Sequence, residues 1–252
     1  MKFAVCIKQV ISREWPLRVS DDRSWIRDQD AEYELNEPDA YALEAALRLK
    51  EQHGAEVVVC CAGPPRASQV VREALARGAD RAIHVQSDGV SMADAFAVAD
   101  SLAQVLREEQ PTLVLTGLQS DDQGFAQTGV VLAEFLGVPH ATIIMDIELS
   151  AGTVRVKREL EGGWFQWVTM PLPALLTIQS GINQLRYATL KGIMAAKKKE
   201  VRSVKVPAPP PRHRIVDLYA PEKTKQTRMI DGSPNEVAKE LVRLLRDEAR
   251  VL

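Results

Sequence analysis

The residues best suited to chemistry form one run, Thr116-Gly117-Leu118-Gln119-Ser120-Asp121-Asp122-Gln123-Gly124-Phe125-Ala126-Gln127-Thr128-Gly129, rich in small residues and side-chain amides. It follows an apolar segment and leads into a helix-like one. If Gln127, Thr128 and Gly129 form a first helical turn, their backbone N–H groups have no acceptor behind them and point at any anion in front. The Thr128 hydroxyl adds a donor, and the pattern reads as a phosphate cradle. It reads equally as an ordinary strand-to-helix turn, where glycines and amides are common. Asp121 and Asp122 can orient the loop or meet a ribose hydroxyl, and nothing around them demands acid–base catalysis.

Covalent and metal chemistry find no support. His53, His84, His140 and His213 are scattered and read as surface or packing residues. No Gly-x-Gly-x-x-Gly follows the first apolar run, and no Gly-x-x-x-x-Gly-Lys-Ser/Thr or recognisable Ser/His/Asp or Cys/His grouping occurs. The three cysteines, Cys6 and the adjacent Cys60 and Cys61, lack metal-ligand spacing and read as buried thiols in strands, the alternative of a redox-active cysteine being disfavoured by the absence of Cys-x-x-Cys. The expectation is a binding protein with no catalytic residue and no metal.

A second segment carries a different chemistry. Asn183-Gln184-Leu185-Arg186-Tyr187-Ala188-Thr189-Leu190-Lys191-Gly192-Ile193-Met194-Ala195-Ala196-Lys197-Lys198-Lys199 sets an aromatic residue and a short apolar tip before three lysines. It suits an exposed docking loop, and it equally suits the start of an amphipathic helix packed on its own core. With no interleaved aromatics, the lysines read as a solvated face rather than a nucleic-acid contact.

These segments need elements to hold them. Lys2 to Lys8 is an apolar run fitting a central parallel strand. Ser12 to Leu35 reads as an excursion folded as a hairpin. Pro38 then opens a helix over Ala40 to Gln52, where its missing N–H costs nothing. Strands follow at Glu56 to Cys61, Arg81 to Val85 and Thr112 to Thr116. They alternate with helices at Ser68 to Arg77, Met92 to Glu109 and from near Gly124 to Gly137. Gly63-Pro64-Pro65 forms a turn, and Gly78 stops a helix.

Such alternation predicts an α/β fold with a doubly wound, mostly parallel sheet, whose ligands bind beyond the carboxyl ends of the strands. Ala141 to Leu149, Thr153 to Leu160 and Trp164 to Met170, separated by glycine turns, predict an antiparallel edge. Leu172 to Gln179 predicts one more strand. Val206 to Pro211 is a proline-rich linker, Arg212 to Gly232 is irregular, and Ser233-Pro234-Asn235-Glu236 opens a last helix with an apolar stripe at Val237, Leu241, Leu244, Leu245 and Ala249. The expected division is a nucleotide-binding domain over 1–204 and a linker with a helical arm over 205–252.

Composition narrows the classes further. With 252 residues, 46% of them hydrophobic, the chain can bury a substantial core. A net charge of −2 provides no basic field for nucleic acid. No run of roughly 18 apolar residues predicts membrane insertion, and the apolar start is too short for a signal peptide, which implies a cytoplasmic protein.

From Met1 to about Val204 the chain resembles the beta subunits of electron transfer flavoproteins. Their signature reads roughly Asn-x-Pro-Arg-Tyr-Ala-Thr-Leu-Pro-x-Ile-Met-x-Ala-Lys-Lys-Lys. Leu185 and Lys191 replace its two prolines, which predicts a less stiff loop. The family's nucleotide loop, approximately Gly-x-Gln-x-x-Asp-x-x-x-x-Gln-Thr-Gly, is matched by Gly117, Gln119, Asp122, Gln127, Thr128 and Gly129. Ala126 stands where relatives carry Asn or Ala. Asn36 and Asp39 match an Asn-Pro-Phe-Asp segment whose proline is displaced by one. Cys6 and Ala62 fall where a purine would lie against the sheet.

The resemblance implies an adenine-nucleotide alpha-hydrolase-like fold and a heterodimeric electron carrier. It implies bound AMP, or a second FAD in bifurcating members, in which valine tends to stand at the place of Thr128. The electron-carrying FAD would be held mainly by the alpha subunit. Arg186, Tyr187, Leu190, Ile193 and Met194 would dock flavoprotein dehydrogenases such as acyl-CoA dehydrogenases, with Leu190 as anchor. The last helix would clasp the alpha subunit. A stand-alone adenine-nucleotide sensor of the stress-protein type shares the sheet topology and has no need of residues Arg186 to Lys199.

Overall fold

The computed structural model describes residues 1–86, 94–207, 209–221 and 227–252. The strands are β1 (Lys2–Ile7), β2 (Gln9–Ile11), β3 (Tyr33–Leu35), β4 (Glu56–Gly63), β5 (Arg81–Gln86), β6 (Leu113–Gly117), β7 (His140–Ser150), β8 (Thr153–Glu159), β9 (Phe165–Pro171), β10 (Ala174–Ile178) and β11 (Val201–Lys205). The helices are α1 (Glu37–His53), α2 (Ser68–Arg77), α3 (Ala95–Glu109), α4 (Thr128–Leu136), α5 (Leu190–Ala196) and α6 (Pro234–Arg243). Among the described residues, nine strands form one sheet in the order β11-β5-β4-β1-β6-β10-β7-β8-β9, and β2 pairs with β3 apart from it.

Strand alternation explains the layers. In β1, Phe3, Val5 and Ile7 join a core with Leu43 and Leu47 of α1 and Leu75 of α2, while Ala4 and Cys6 join one with Leu102 of α3 and Leu132 of α4. Each buried large apolar side chain contributes roughly 1.5–3 kcal/mol. Both faces being covered, the strand needs no polar residue, and its pairings with β4 and β6 are parallel. The doubly wound sheet expected from the sequence is the observed fold, including its antiparallel edge at β8 and β9.

Several expectations need correction. α4 starts at Thr128 rather than near Gly124, because Gly124 and Ala126 have φ of 62° and 53°, which no right-handed helix contains. α1 starts at Glu37, with Pro38 in the first turn, where its lack of an N–H leaves no helical bond unmade. β10, fully buried, lies between β6 and β7. Hence β7 is parallel to β10 and antiparallel only to β8. β11 was not anticipated; its charged residues Arg202 and Lys205 suit a sheet edge. Met92, the expected start of the third helix, lies outside the described residues, as do Ala208 and 222–226.

The excursion after β1 is a hairpin at its base, where β2 and β3 pair antiparallel, with an inner bridge between Val19 and Ile26. All three cysteines are buried thiols in β1 and β4. Burial pushes Cys60 and Cys61 up to about 12, which makes thiolate chemistry remote at neutral pH.

The chain divides into compact units at Met1–Asp217 and Leu218–Leu252, later than the expected boundary after Val204. Residues beyond β11 stay fastened to the first unit. Asp94, the N-cap of α3, accepts hydrogen bonds from the backbone of Arg212 and His213 at 2.5 and 2.6 Å, and Arg23 pairs with Asp217 at 2.7 Å. In the second unit, α6 opens at Pro234, with the Glu236 carboxylate accepting from the Ser233 N–H at 2.9 Å, and no residue of α6 is buried. Among the described residues no helix is long and apolar enough to cross a membrane.

Candidate functional site

Strand order turns between β1 and β6, and a single carboxylate fastens their ends together. Asp39, in the first turn of α1, accepts from the Lys8 N–H at 2.8 Å and the Gly117 N–H at 2.9 Å. Burial pushes this carboxyl up to about 7 despite those bonds. Asn36 occupies the N-cap of α1 but makes no side-chain cap. Its amide reaches across instead, donating to the Gln119 carbonyl at 3.0 Å and accepting from the Asp121 N–H at 3.0 Å. Gly117 must lack a side chain, since a Cβ there would lie 2.5 Å from Asp39 Oδ1 and 2.7 Å from the Pro38 carbonyl carbon.

The loop so held borders a cleft of about 1220 Å³, counting its open mouth. Cys6, Asn36, Asp39, Ala62, Gly117, Gln119, Asp122, Gln127, Thr128 and Gly129 all line it, so all ten residues singled out in the sequence come together. Asn36, Asp39 and Asp122 are committed to other protein groups and shape the cleft. Val10, Ile11, Trp25, Ile26 and Phe125 give it an apolar wall.

One end of the cleft is a helix N-terminus. The first helical bond of α4 runs from the Val131 N–H to the Gln127 carbonyl, so the N–H groups of Thr128, Gly129 and Val130 precede any intrahelical acceptor. Gln127 supplies no side-chain cap, which leaves those donors and the helix dipole for an anion. Gly129 lets α4 approach the sheet, since a Cβ would meet Thr177 Cγ2 at 2.6 Å and Thr116 Oγ1 at 2.8 Å. Ala126 holds its left-handed φ with a small side chain, which explains why Asn or Ala suits the place.

Lys8 was missed in the sequence, where it is one polar residue at a strand end. Its Nζ donates to Asp122 Oδ1 at 2.7 Å, Gln123 Oε1 at 3.0 Å and Ser120 Oγ at 3.3 Å. Arg13 similarly pairs with Asp121 at 2.8 Å. Both acids of the loop are thereby neutralised and fixed. Among the described residues no group of three or more His, Cys, Asp or Glu could hold a metal ion. Small walls at Cys6 and Ala62, an apolar flank and a helix N-terminus fit an adenine nucleotide placed with its phosphate at α4.

The second segment forms a braced loop ending in α5. Thr189 caps the helix, its hydroxyl accepting from the Gly192 N–H at 3.0 Å. At Gly192 the helix comes so near the Ala76 carbonyl of α2 that no Cβ fits. Ala196 is buried, whereas Tyr187, Leu190, Ile193 and Met194 are exposed, Tyr187 by 87% and Leu190 by 78%. A helix does pack on the body, as the second reading expected, and its apolar tip is in water.

Arg186 differs from its four expected companions. Its guanidinium turns inward to Glu44 at 2.7 Å and Glu51 at 2.6 Å. Leu185, in place of a proline, packs against the core. Lys199 is also no solvated charge, since its Nζ donates to the Leu75 and Ala79 carbonyls at 2.9 and 2.5 Å, at the end of α2. Lys197 and Lys198 are exposed.

The family described as Electron transfer flavoprotein domain matches residues 24–209. The electron transfer flavoprotein subunit beta of Methylophilus methylotrophus is 37% identical over 98% of each chain. That of Bradyrhizobium diazoefficiens is 41% identical over 80% of each. The mitochondrial subunit beta of Oryza sativa subsp. japonica is 36% identical over the whole of both.

Gly129→Ala should destabilise the protein by about 1–3 kcal/mol through overpacking against Thr116 and Thr177 and empty the cleft of nucleotide. Thermal unfolding and the nucleotide-to-protein ratio check this; an unchanged ratio refutes the role given to α4. Asp39 yields a pH prediction. Its folded value lies above the ordinary carboxyl range near ~4, so its contribution to stability is full below that range and declines as pH rises to about 7. The gap in unfolding midpoint between wild type and Asp39→Asn should narrow from pH 5 to pH 8, and a widening gap would show that the ionised form is the favoured one.

Proposed function

This chain belongs to the electron transfer flavoprotein family as a beta subunit, and from that premise we propose that it pairs with a larger alpha subunit to shuttle electrons. The donors are flavoprotein dehydrogenases, such as acyl-CoA dehydrogenases, and the acceptor is a quinone-reducing or other partner. AMP fills the cleft as a structural ligand. The redox chemistry is that of FAD, held mainly by the companion, so this chain binds, orients and docks rather than catalyses.

One observation carries the reading. A single compact unit holds both a cleft with the uncapped start of α4 at one end and a braced loop whose apolar tip stands in water. A nucleotide sensor requires only the first. A solvent-exposed Leu190 on a fixed loop suits docking, because binding energy concentrates in apolar anchors that enter a partner's pocket. AMP is favoured over a second FAD by Thr128, whose hydroxyl suits a terminal phosphate. The exposure of Leu241 on α6, where no residue is buried, supports the reading that the last helix clasps the alpha subunit.

Denaturing the purified heterodimer and separating the released nucleotides should yield AMP and one FAD. Two FAD would instead indicate a bifurcating carrier, and the absence of any adenylate would overturn the assignment of the cleft. Leu190→Ala should weaken docking by roughly 1–3 kcal/mol, read as a higher KM for the carrier in dehydrogenase assays, with nucleotide content intact. Unchanged reduction by every dehydrogenase tried would remove Leu190 from the interface.

A further inference from the structure

α1 serves two places at once. Its start holds the nucleotide loop through Asn36 and Asp39, and its later turns hold the run leading to the exposed tip. The Tyr41 carbonyl accepts from Asn183 Nδ2 at 3.1 Å, and Arg48 Nη2 donates to the Gln184 carbonyl at 2.9 Å. Between them sits Glu44, 3% exposed. Its Oε1 accepts from Arg48 Nε at 2.8 Å and Arg186 Nη2 at 3.1 Å, and its Oε2 accepts from Arg186 Nε at 2.7 Å and the Arg186 N–H at 3.4 Å.

This arrangement exceeds what packing requires. A buried ion pair has a desolvation cost that an apolar residue of the same size avoids, so its return lies in geometry rather than stability. The two-pronged contact fixes the guanidinium plane, and the bond to the Arg186 N–H fixes the backbone immediately before Tyr187. Thr189, Gly192 and Lys199 hold α5 itself. Glu44 holds the approach to it.

We propose that Glu44 is a positioning residue for partner docking: by gripping Arg186 it sets the direction in which Tyr187 and Leu190 leave the body of the protein. The inference rests on the docking reading above. Loss of the grip leaves α5 packed and the cleft unchanged, while residues 185–189 sample orientations that a partner cannot accept. The bound state is then reached from a smaller fraction of molecules, and apparent affinity falls by that fraction.

Glu44→Gln keeps the shape and removes the charge, leaving two half-exposed arginines that water can solvate. In the full heterodimer, with a dehydrogenase that reduces the wild type, KM for the carrier should rise about tenfold at unchanged kcat. Nucleotide content should not change, and amide exchange over 185–189 should quicken. Arg186→Gln, which also releases Glu51 at 2.6 Å, should do at least as much, and the double variant should be no worse than Arg186→Gln alone, since Glu44 acts through Arg186. If Glu44→Gln fails to fold, Arg186→Gln reports on the same contact from the more exposed side. Unchanged KM, faster exchange without a KM effect, or additive losses in the double variant would each overturn the proposal. Should no dehydrogenase reduce the wild type, the docking reading falls, and the exchange measurement alone decides whether Glu44 holds the loop.

Discussion

The Asp39 carboxylate, placed where the strand order turns, is the constraint on which the other features depend. Two neighbouring strands end there with N–H groups that no strand partner can reach, and a buried unpaired donor costs about as much as a lost hydrogen bond. Asp39 answers both with one side chain. It sits in the first turn of α1, and satisfying the two strands therefore fixes where that helix begins. The cost is visible in its raised pKa, and in the demand that Gly117 carry no side chain. A carboxylate kept in so unfavourable a setting indicates that position, rather than net stability, is what it supplies.

The anchored helix start explains the local backbone beyond β6. Asn36 pulls the chain at Gln119 and Asp121 toward α1, while Lys8 and Arg13 tie down Asp121 and Asp122. The loop must then turn sharply to enter α4, and it does so with left-handed residues at Gly124 and Ala126. Strain at a non-glycine residue persists only where its surroundings over-determine it. Here those surroundings are the tethers on one side and the packing of Gly129 on Thr116 and Thr177 on the other. The outcome is a helix start with its donors uncapped and aimed into the cleft.

Much of this was legible in the sequence because local physics wrote it there. Alternating apolar runs and helical periods located the βαβ units, and the residues singled out in the loop after β6 do come together at one cleft. What stayed hidden depends on long-range pairing. Nothing local places β10 between β6 and β7; only its full burial, a tertiary property, requires two neighbours. Likewise the sequence shows that Arg186 and Lys199 are cations, but not that Glu44, 142 residues away along the chain, receives one of them, nor that the end of α2 receives the other. Charge tells that a residue seeks a partner, and the fold decides whether the partner is inside or outside the molecule. Lys8 escaped notice for the same reason.

The division of labour within the docking segment follows from the same distinction. Two of its cations, Arg186 and Lys199, are spent on carboxylates and on carbonyls at the end of α2, where directional bonds fix geometry, while Lys191, Lys197 and Lys198 stay exposed. Leu185 packs against the core and Ala196 is buried, whereas Leu190, Ile193 and Met194 are turned outward, where contact is non-directional and tolerant of a partner's shape. In this arrangement the rigid part is internal and need not be rebuilt when the exposed tip meets another surface. The exposed Leu190, Ile193 and Met194 carry a hydration cost in the free protein that burial in a partner would relieve. Because α1 joins Asp39 at one end to Glu44 further along, the loop that borders the cleft and the loop that carries the exposed apolar tip are referred to a single rigid helix.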